Sequence, residues 1–146
     1  MVVGPTRLGK TEWARSIGRH IYMCGLFCLS AWDDQADYLV LDDISFDFIG
    51  GSRKTLWGSQ KELVLTDKFA RKRVVKWGKP MIFLCNQGED FRYMCTKDGR
   101  NKLLSEHELN WYEANCVIVE VNAPMYVVPD NPELEDRILE LIEDDL

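Results

Sequence analysis

The stretch Gly4-Pro5-Thr6-Arg7-Leu8-Gly9-Lys10-Thr11 fits the spacing G-x-x-x-x-G-K-[ST], the Walker A loop. Glycines at its two ends let a backbone wrap a row of phosphates, with the N–H groups turned inward as donors. In that pattern Lys10 reaches the β- and γ-phosphates of ATP and Thr11 offers its hydroxyl to Mg²⁺. Lys10 is expected to face solvent while no ligand is bound. Further on, Tyr38-Leu39-Val40-Leu41 runs into Asp42-Asp43, the Walker B pattern of a buried strand that delivers acids at its C-terminal edge. Asp42 would hold Mg²⁺, directly or through water, and Asp43 would orient or deprotonate an attacking water. Alone, the pair reads equally well as an acidic turn. The upstream phosphate loop favours the catalytic reading. Asn86 closes a third apolar run and is either a polar group aimed at the γ-phosphate or a turn former.

These residues need particular elements to position them. Met1-Val2-Val3 reads as the end of a buried strand, and Lys10 to Ile17 as a helix whose N-terminal dipole favours anions, stopped at Gly18. Ile21 to Cys24 reads as a strand ended by Gly25, and Ser30 as the cap of a brief helical turn reaching Ala36. After the paired acids come the loop with Gly50 and Gly51, a short helix over 52–58, and two β-prone runs, Glu62 to Thr66 and Arg73 to Trp77. Pro80 to Asn86 is a buried parallel strand, Ser105 to Asn115 a helix with Leu109 and Tyr112 on one face, and Cys116 to Val121 a last buried strand. Pro124, Pro129 and Pro132 mark an exit from the core towards an acidic helix or frayed tail over 134–146, with Leu134, Ile138, Leu141 and Ile142 as its apolar stripe. The expected division is a core over 1–121 and an acidic C-terminal extension over 122–146.

A chain of 146 residues with 46% hydrophobic content supports one substantial core. It opens inside what reads as the first strand, so a preceding part is expected in the complete protein. No apolar run spans a bilayer and nothing near Met1 resembles a signal peptide, so a soluble, intracellular protein with no membrane partner is expected. The five cysteines are an odd, scattered set, which argues for a reducing compartment. His20, Cys24 and Cys28 lack a fourth ligand at zinc spacing, and buried core thiols are the better reading. The net charge of -6 arises in the tail, where residues 130–146 hold eight carboxylates against Arg137. The body is close to neutral, and its positive charge is concentrated.

That concentration lies between Lys68 and Lys79, in and around the second β-prone run. Lys68, Arg71, Lys72, Arg73, Lys76 and Lys79 fall together with no acid among them, interleaved with Phe69 and Trp77. Cations for phosphates and rings for bases suit single-stranded DNA or RNA. A solvated hairpin whose charged edges prevent aggregation is the plainer alternative, with Trp77 as a core residue at its base. A weak nuclear-localisation signal is also compatible with the cluster.

The order of features is distinctive: phosphate loop, paired acids, inserted basic hairpin, strand ending in Asn. Together with the wording GPTRLGKTEWARSIGRH, ADYLVLDDI, LWGSQKELVLTDKF, KWGKP and IFLCNQ, the chain resembles the helicase domain of replication-associated proteins of small circular single-stranded DNA viruses, of genomovirus and geminivirus type. The resemblance covers most of residues 1 to 121. It implies an α/β P-loop NTPase fold, an AAA+-like five-stranded parallel sheet flanked by helices with an inserted basic β-hairpin. It also implies a superfamily 3 helicase that uses ATP and Mg²⁺ to separate DNA strands in rolling-circle replication. Lys10 and Thr11 match Walker A, Asp42 and Asp43 Walker B, and Asn86 the sensor of motif C, while the basic segment overlaps the DNA-contacting hairpin. A homo-oligomeric ring, a hexamer, is implied for the full-length protein, with Arg92 or Arg100 as the arginine finger and the host nucleus as the location. The family's endonuclease domain, with its paired histidines and nicking tyrosine, has no counterpart in the sequence. Two other readings compete: a small-molecule P-loop kinase, which would show an arginine-bearing lid late in the chain, and a non-enzymatic DNA-binding remnant. The intact set of Lys10, Thr11, Asp42 and Asp43 weighs against the remnant.

Overall fold

A computed structural model of the chain describes residues 1–45, 53–66, 71–94 and 104–127. The expectations for Gly50, Gly51, Ser52, Lys68, Phe69, Cys95, Arg100 and the tail beyond residue 127 lie outside the described residues. Five strands form one parallel sheet: β1 (Val2–Val3), β2 (His20–Cys24), β3 (Tyr38–Asp42), β6 (Met81–Cys85) and β7 (Val119–Glu120), in the order β2-β3-β6-β1-β7. Between β3 and β6 in sequence, β4 (Glu62–Leu65) and β5 (Arg73–Lys76) form a separate antiparallel pair. The helices are α1 (Lys10–Ser16), α2 (Arg53–Trp57) and α3 (Glu106–Ala114), with 3-10 turns at Leu29–Ala31 and Phe91–Met94. The P-loop NTPase-like fold expected from the sequence is therefore present.

Strand alternation explains the two layers. On β3, Leu39 and Leu41 point to one face while Tyr38 and Val40 point to the other, and all four are buried. The second face carries α1, whose Ala14 packs with Val2, Tyr38, Val40 and Leu84. The first face is covered by α2, α3 and the antiparallel pair, with Trp57 tilted against Phe83 and edge-on to Phe91 and Tyr112 at ring separations of 5.0, 6.2 and 5.7 Å. Helix α3 opens on a capping box: Glu108 donates its backbone N–H to the Ser105 hydroxyl and accepts from the Ser105 N–H. The bonds from Ser105 hold the Glu108 carboxyl below its ordinary range.

Four local expectations change. Gly18 does not stop α1 by a left-handed turn; instead the Tyr38 hydroxyl reaches over from β3, donating to the Ala14 carbonyl at 2.7 Å and accepting from the Gly18 N–H at 3.2 Å. Ser30 lies inside its 3-10 turn, where Cys28 is the capping residue and no side chain caps. Strand β7 is short and exposed, because it forms an edge beside β1. Of the cysteines read as core thiols, Cys24 and Cys28 are exposed, while Cys85 is buried.

Candidate nucleotide site

Parallel strands deliver their following loops to one edge of the sheet, and the marked residues all lie there. The phosphate loop follows β1, Asp42 and Asp43 end β3, and Asn86 follows β6, the strand between those two. Thr6, Arg7, Leu8, Gly9, Lys10, Thr11, Glu12, Asp42, Asp43 and Asn86 line one cleft of about 310 Å³. Gly4 and Pro5 form the loop's base. The Gly4 N–H donates to the Cys85 carbonyl at 3.3 Å, and a Cβ at Gly4 would meet the Val121 carbonyl oxygen at 2.3 Å.

Left-handed backbone is concentrated here. Only three described non-glycine residues have positive φ, and two of them, Arg7 at 63° and Asp43 at 49°, belong to the site. Gly9, at φ 84°, takes the same conformation just before α1.

Side-chain bonds join the segments. The Thr11 hydroxyl donates to Asp42 Oδ2 at 2.7 Å, and the Tyr22 hydroxyl, from β2, donates to the same oxygen at 2.9 Å. Lys10 does not face solvent as expected. It is 9% exposed, and its Nζ donates to the Gly4 and Pro5 carbonyls at 2.7 Å each, folded back over the loop it would serve. The physical reason is that an ammonium beside unpaired loop carbonyls finds acceptors there.

The donor set suits a hard, small cation: one hydroxyl and one carboxylate, with room for phosphate oxygens and water, is how Mg²⁺ is usually held. Among the described residues there is no cluster of three or more histidine, cysteine or acidic side chains that would make a separate metal centre. Burial pushes the Cys85 thiol, next to Asn86, up to about 12, leaving it uncharged and unreactive.

Tyr22, Glu12 and the segment after β7 are site components that the sequence motifs did not mark. Tyr22 sits on the same face of β2 as Cys24 and pairs in register with Val40, as Cys24 does with Asp42, but the pairing of β2 with β3 is a tertiary fact. Burial, then Cys24 and Asp42, raise the Tyr22 phenol above its ordinary value, so it remains a donor. The Arg15 guanidinium lies 4.4 Å from the centre of its ring. Beyond β7, the Met125 N–H donates to the Leu8 carbonyl at 2.8 Å and the Tyr126 hydroxyl to the Arg7 carbonyl at 3.2 Å. These two bonds tie residues beyond 121 to the phosphate loop.

The basic candidates divide. Arg71, Lys72 and Lys76 are exposed. Arg73 is exposed too but is ion-paired with Asp34. Lys79 donates to the Asp34 carbonyl at 2.9 Å and to the Ala36 carbonyl. Trp77 is corrected from a stacking residue to a core one. It is 7% exposed, with its ring 4.7 Å from that of Trp32 and the Lys79 ammonium 5.0 Å from its centre. Its strand alternation explains this: Val75 and Trp77 point inward with Leu63 and Leu65, whereas Val74 and Lys76 point out. Arg92 is also employed within its own chain, bound bidentately to the fully buried Asp90 and, at 2.8 Å, to Glu120. Those bonds raise its pKa further, and two carboxylates neutralise the charge that a finger would offer a neighbour's phosphate.

Fold and site define a P-loop NTPase-like domain. The chain is similar to one segment of the replication-associated proteins of several viruses. It is 40% identical over 116 residues to the replication-associated protein of Tobacco yellow dwarf virus (strain Australia), covering 80% of the chain and 32% of the relative. With the protein of the same name from Bean yellow dwarf virus it shares 38% over 116 residues, 80% of the chain and 32% of the relative. With that of Maize streak virus genotype C (isolate Set) it shares 36% over 138 residues, 92% of the chain and 36% of the relative. The chain spans about a third of the length of these relatives. No family model matches it. No helix among the described residues is long and apolar enough to cross a membrane.

Proposed function

We propose that this chain is the ATPase domain of a viral replication initiator and couples ATP hydrolysis to DNA strand separation. The observation that carries the reading is the Thr11 to Asp42 hydrogen bond, which joins the phosphate loop to the paired acids across an intervening strand that ends at Asn86. In this reading Lys10 leaves the Gly4 and Pro5 carbonyls for the β- and γ-phosphates when ATP enters. Thr11 and Asp42 hold magnesium, which when bound neutralises charge on the phosphate oxygens. Asp43 orients the attacking water, and Asn86 contacts the γ-phosphate. The relatives' name, replication-associated protein, and the exposed cations Arg71, Lys72 and Lys76 support DNA as the partner, which we take to be single-stranded. A homo-oligomeric ring in the full-length protein and action in the host nucleus belong to the same proposal.

The test is ATP hydrolysis with and without single-stranded DNA. Turnover stimulated by DNA is expected. Turnover indifferent to DNA but dependent on a small phosphate acceptor would favour a P-loop kinase, and no turnover with DNA binding retained would favour a non-enzymatic remnant.

A further inference from the structure

The cleft is lined by the phosphate loop and the paired acids, and the adjoining cavity of about 450 Å³ beside Asp43 and Asn86 also lacks an aromatic wall for a base. At about 310 Å³ the cleft sits at the lower limit of the roughly 300–1,000 Å³ typical of ligand sites, and no aromatic side chain lines it. A base held only through its phosphates would keep both apolar faces in water. The segment after β7 supplies what is missing.

That segment is fastened at three points, once to β1 and twice to the loop: Val121 N–H to the Val3 carbonyl at 2.8 Å, Met125 N–H to the Leu8 carbonyl at 2.8 Å, and the Tyr126 hydroxyl to the Arg7 carbonyl at 3.2 Å. The Tyr126 ring edge lies against Gly9 so closely that a Cβ there would meet Cδ1 at 2.7 Å. Yet Tyr126 is 51% exposed, whereas Trp57, Phe83, Phe91 and Tyr112 are buried. An aromatic ring is thus pinned beside the phosphate loop with much of its surface left open. Pinning removes part of the entropy cost of ordering a ring on binding, and an exposed ring suits a purine.

We propose that Tyr126 is the platform on which the nucleotide base stacks, which makes the segment after β7 part of the nucleotide site. Face-on stacking reads no base edges, so ATP and GTP should gain from it alike. This rests on the phosphate-loop reading and adds a base subsite to it.

The 146-residue chain and its variants Tyr126→Ala, Tyr126→Phe and Tyr126→Leu are titrated with the magnesium complexes of ATP, GTP and inorganic tripolyphosphate, beside melting curves. Stacking on a half-open ring predicts that Tyr126→Ala weakens ATP and GTP by about 5- to 50-fold and leaves tripolyphosphate within about twofold. Tyr126→Phe keeps the ring and should keep nucleotide affinity. Tyr126→Leu keeps an apolar side chain over Gly9, and should lose nucleotide affinity as alanine does even where alanine lowers the melting temperature. Equal losses for tripolyphosphate and ATP, or a phenylalanine variant as weak as alanine, would make Tyr126 a prop for the loop and overturn the proposal. Unchanged ATP affinity in the alanine variant would remove the base platform alone. A wild-type chain that binds neither ATP nor tripolyphosphate would remove the phosphate site and the platform with it.

Discussion

At the C-terminal edge of the parallel sheet, Thr11, Asp42 and Tyr22 meet at one carboxylate oxygen, and Lys10 is bonded to two loop carbonyls. On and beside β4 and β5 the arrangement differs: the inward residues Leu63, Leu65, Val75 and Trp77 are packed, while Arg71, Lys72 and Lys76 stand out in solvent. Under the proposed function the contrast has a physical reason. Phosphoryl transfer is sensitive to displacements of about 1 Å, so its groups must be held by neighbours. Attraction of a polyanion depends on the number of cations brought near it and on salt, and long mobile stems serve that well.

The largest expected effect breaks the fixed region. Lys10→Ala should lower ATP turnover by about a thousandfold or more, since a charge-assisted contact to the transferring phosphate contributes several kcal/mol. Because Lys10 is buried and bonded to Gly4 and Pro5, the same variant should also lose about 1–3 kcal/mol of stability, read from a denaturant titration. Equal turnover in variant and wild type would end the assignment.

Next comes a test of the division within the hairpin region. Trp77→Ala should cost about 3–5 kcal/mol of stability as a large buried ring is lost. Arg71→Glu with Lys72→Glu should leave the melting curve in place and flatten the salt dependence of single-stranded DNA binding by at least about 1.4 in log–log slope, at about 0.7 for each phosphate contact. A double variant with unchanged affinity and slope would remove this segment from DNA binding. A Trp77→Ala variant with full stability and weakened binding would restore the ring to the DNA site.

The same division shows which features were legible in the sequence. Walker A spacing encodes a local backbone shape, and the shape is present with Arg7 and Gly9 both left-handed. Apolar runs ending in polar residues placed Asp42 and Asn86 on one sheet edge, because parallel strands leave little choice of edge. Composition could not assign Trp77, since a ring among cations looks the same whether it stacks on a base or packs tilted against Trp32. Strand alternation with Val75 carried the signal. The ties of Tyr38 to Ala14, Tyr22 to Asp42 and Tyr126 to Arg7 join residues 24, 20 and 119 positions apart, and no local pattern records them.

Within the fixed region, Asp42 and Asp43 can be separated. Asp42→Asn should weaken nucleotide binding in magnesium by about tenfold and have little effect in its absence, because Asp42 is bonded to Thr11. Asp43 is exposed at the strand end and has no such bond, so Asp43→Asn should bind a fluorescent ATP analogue almost normally and hydrolyse ATP about a hundredfold more slowly. Identical effects in the two variants would merge their roles.

The smallest effect tests the edge most finely. Tyr22 and Thr11 both donate to Asp42 Oδ2, which occupies both lone pairs of that oxygen. Removing the phenol hydroxyl leaves Oδ2 one donor, and the carboxylate gains freedom to rotate. The ring stays, packed beneath Arg15, so Tyr22→Phe should melt as wild type does. Water can take up part of the lost bond at this half-buried position, so the net cost is about 1 kcal/mol, equivalent to about fivefold. It should appear as about fivefold more Mg²⁺ required for half-maximal turnover at saturating ATP, with ATP affinity in the absence of magnesium unchanged. Lys76→Gln, an equally small change on the solvent face of β5, should leave turnover without DNA untouched. A Tyr22→Phe enzyme with the wild-type magnesium dependence would reduce Tyr22 to packing and leave Thr11 to hold Asp42 alone.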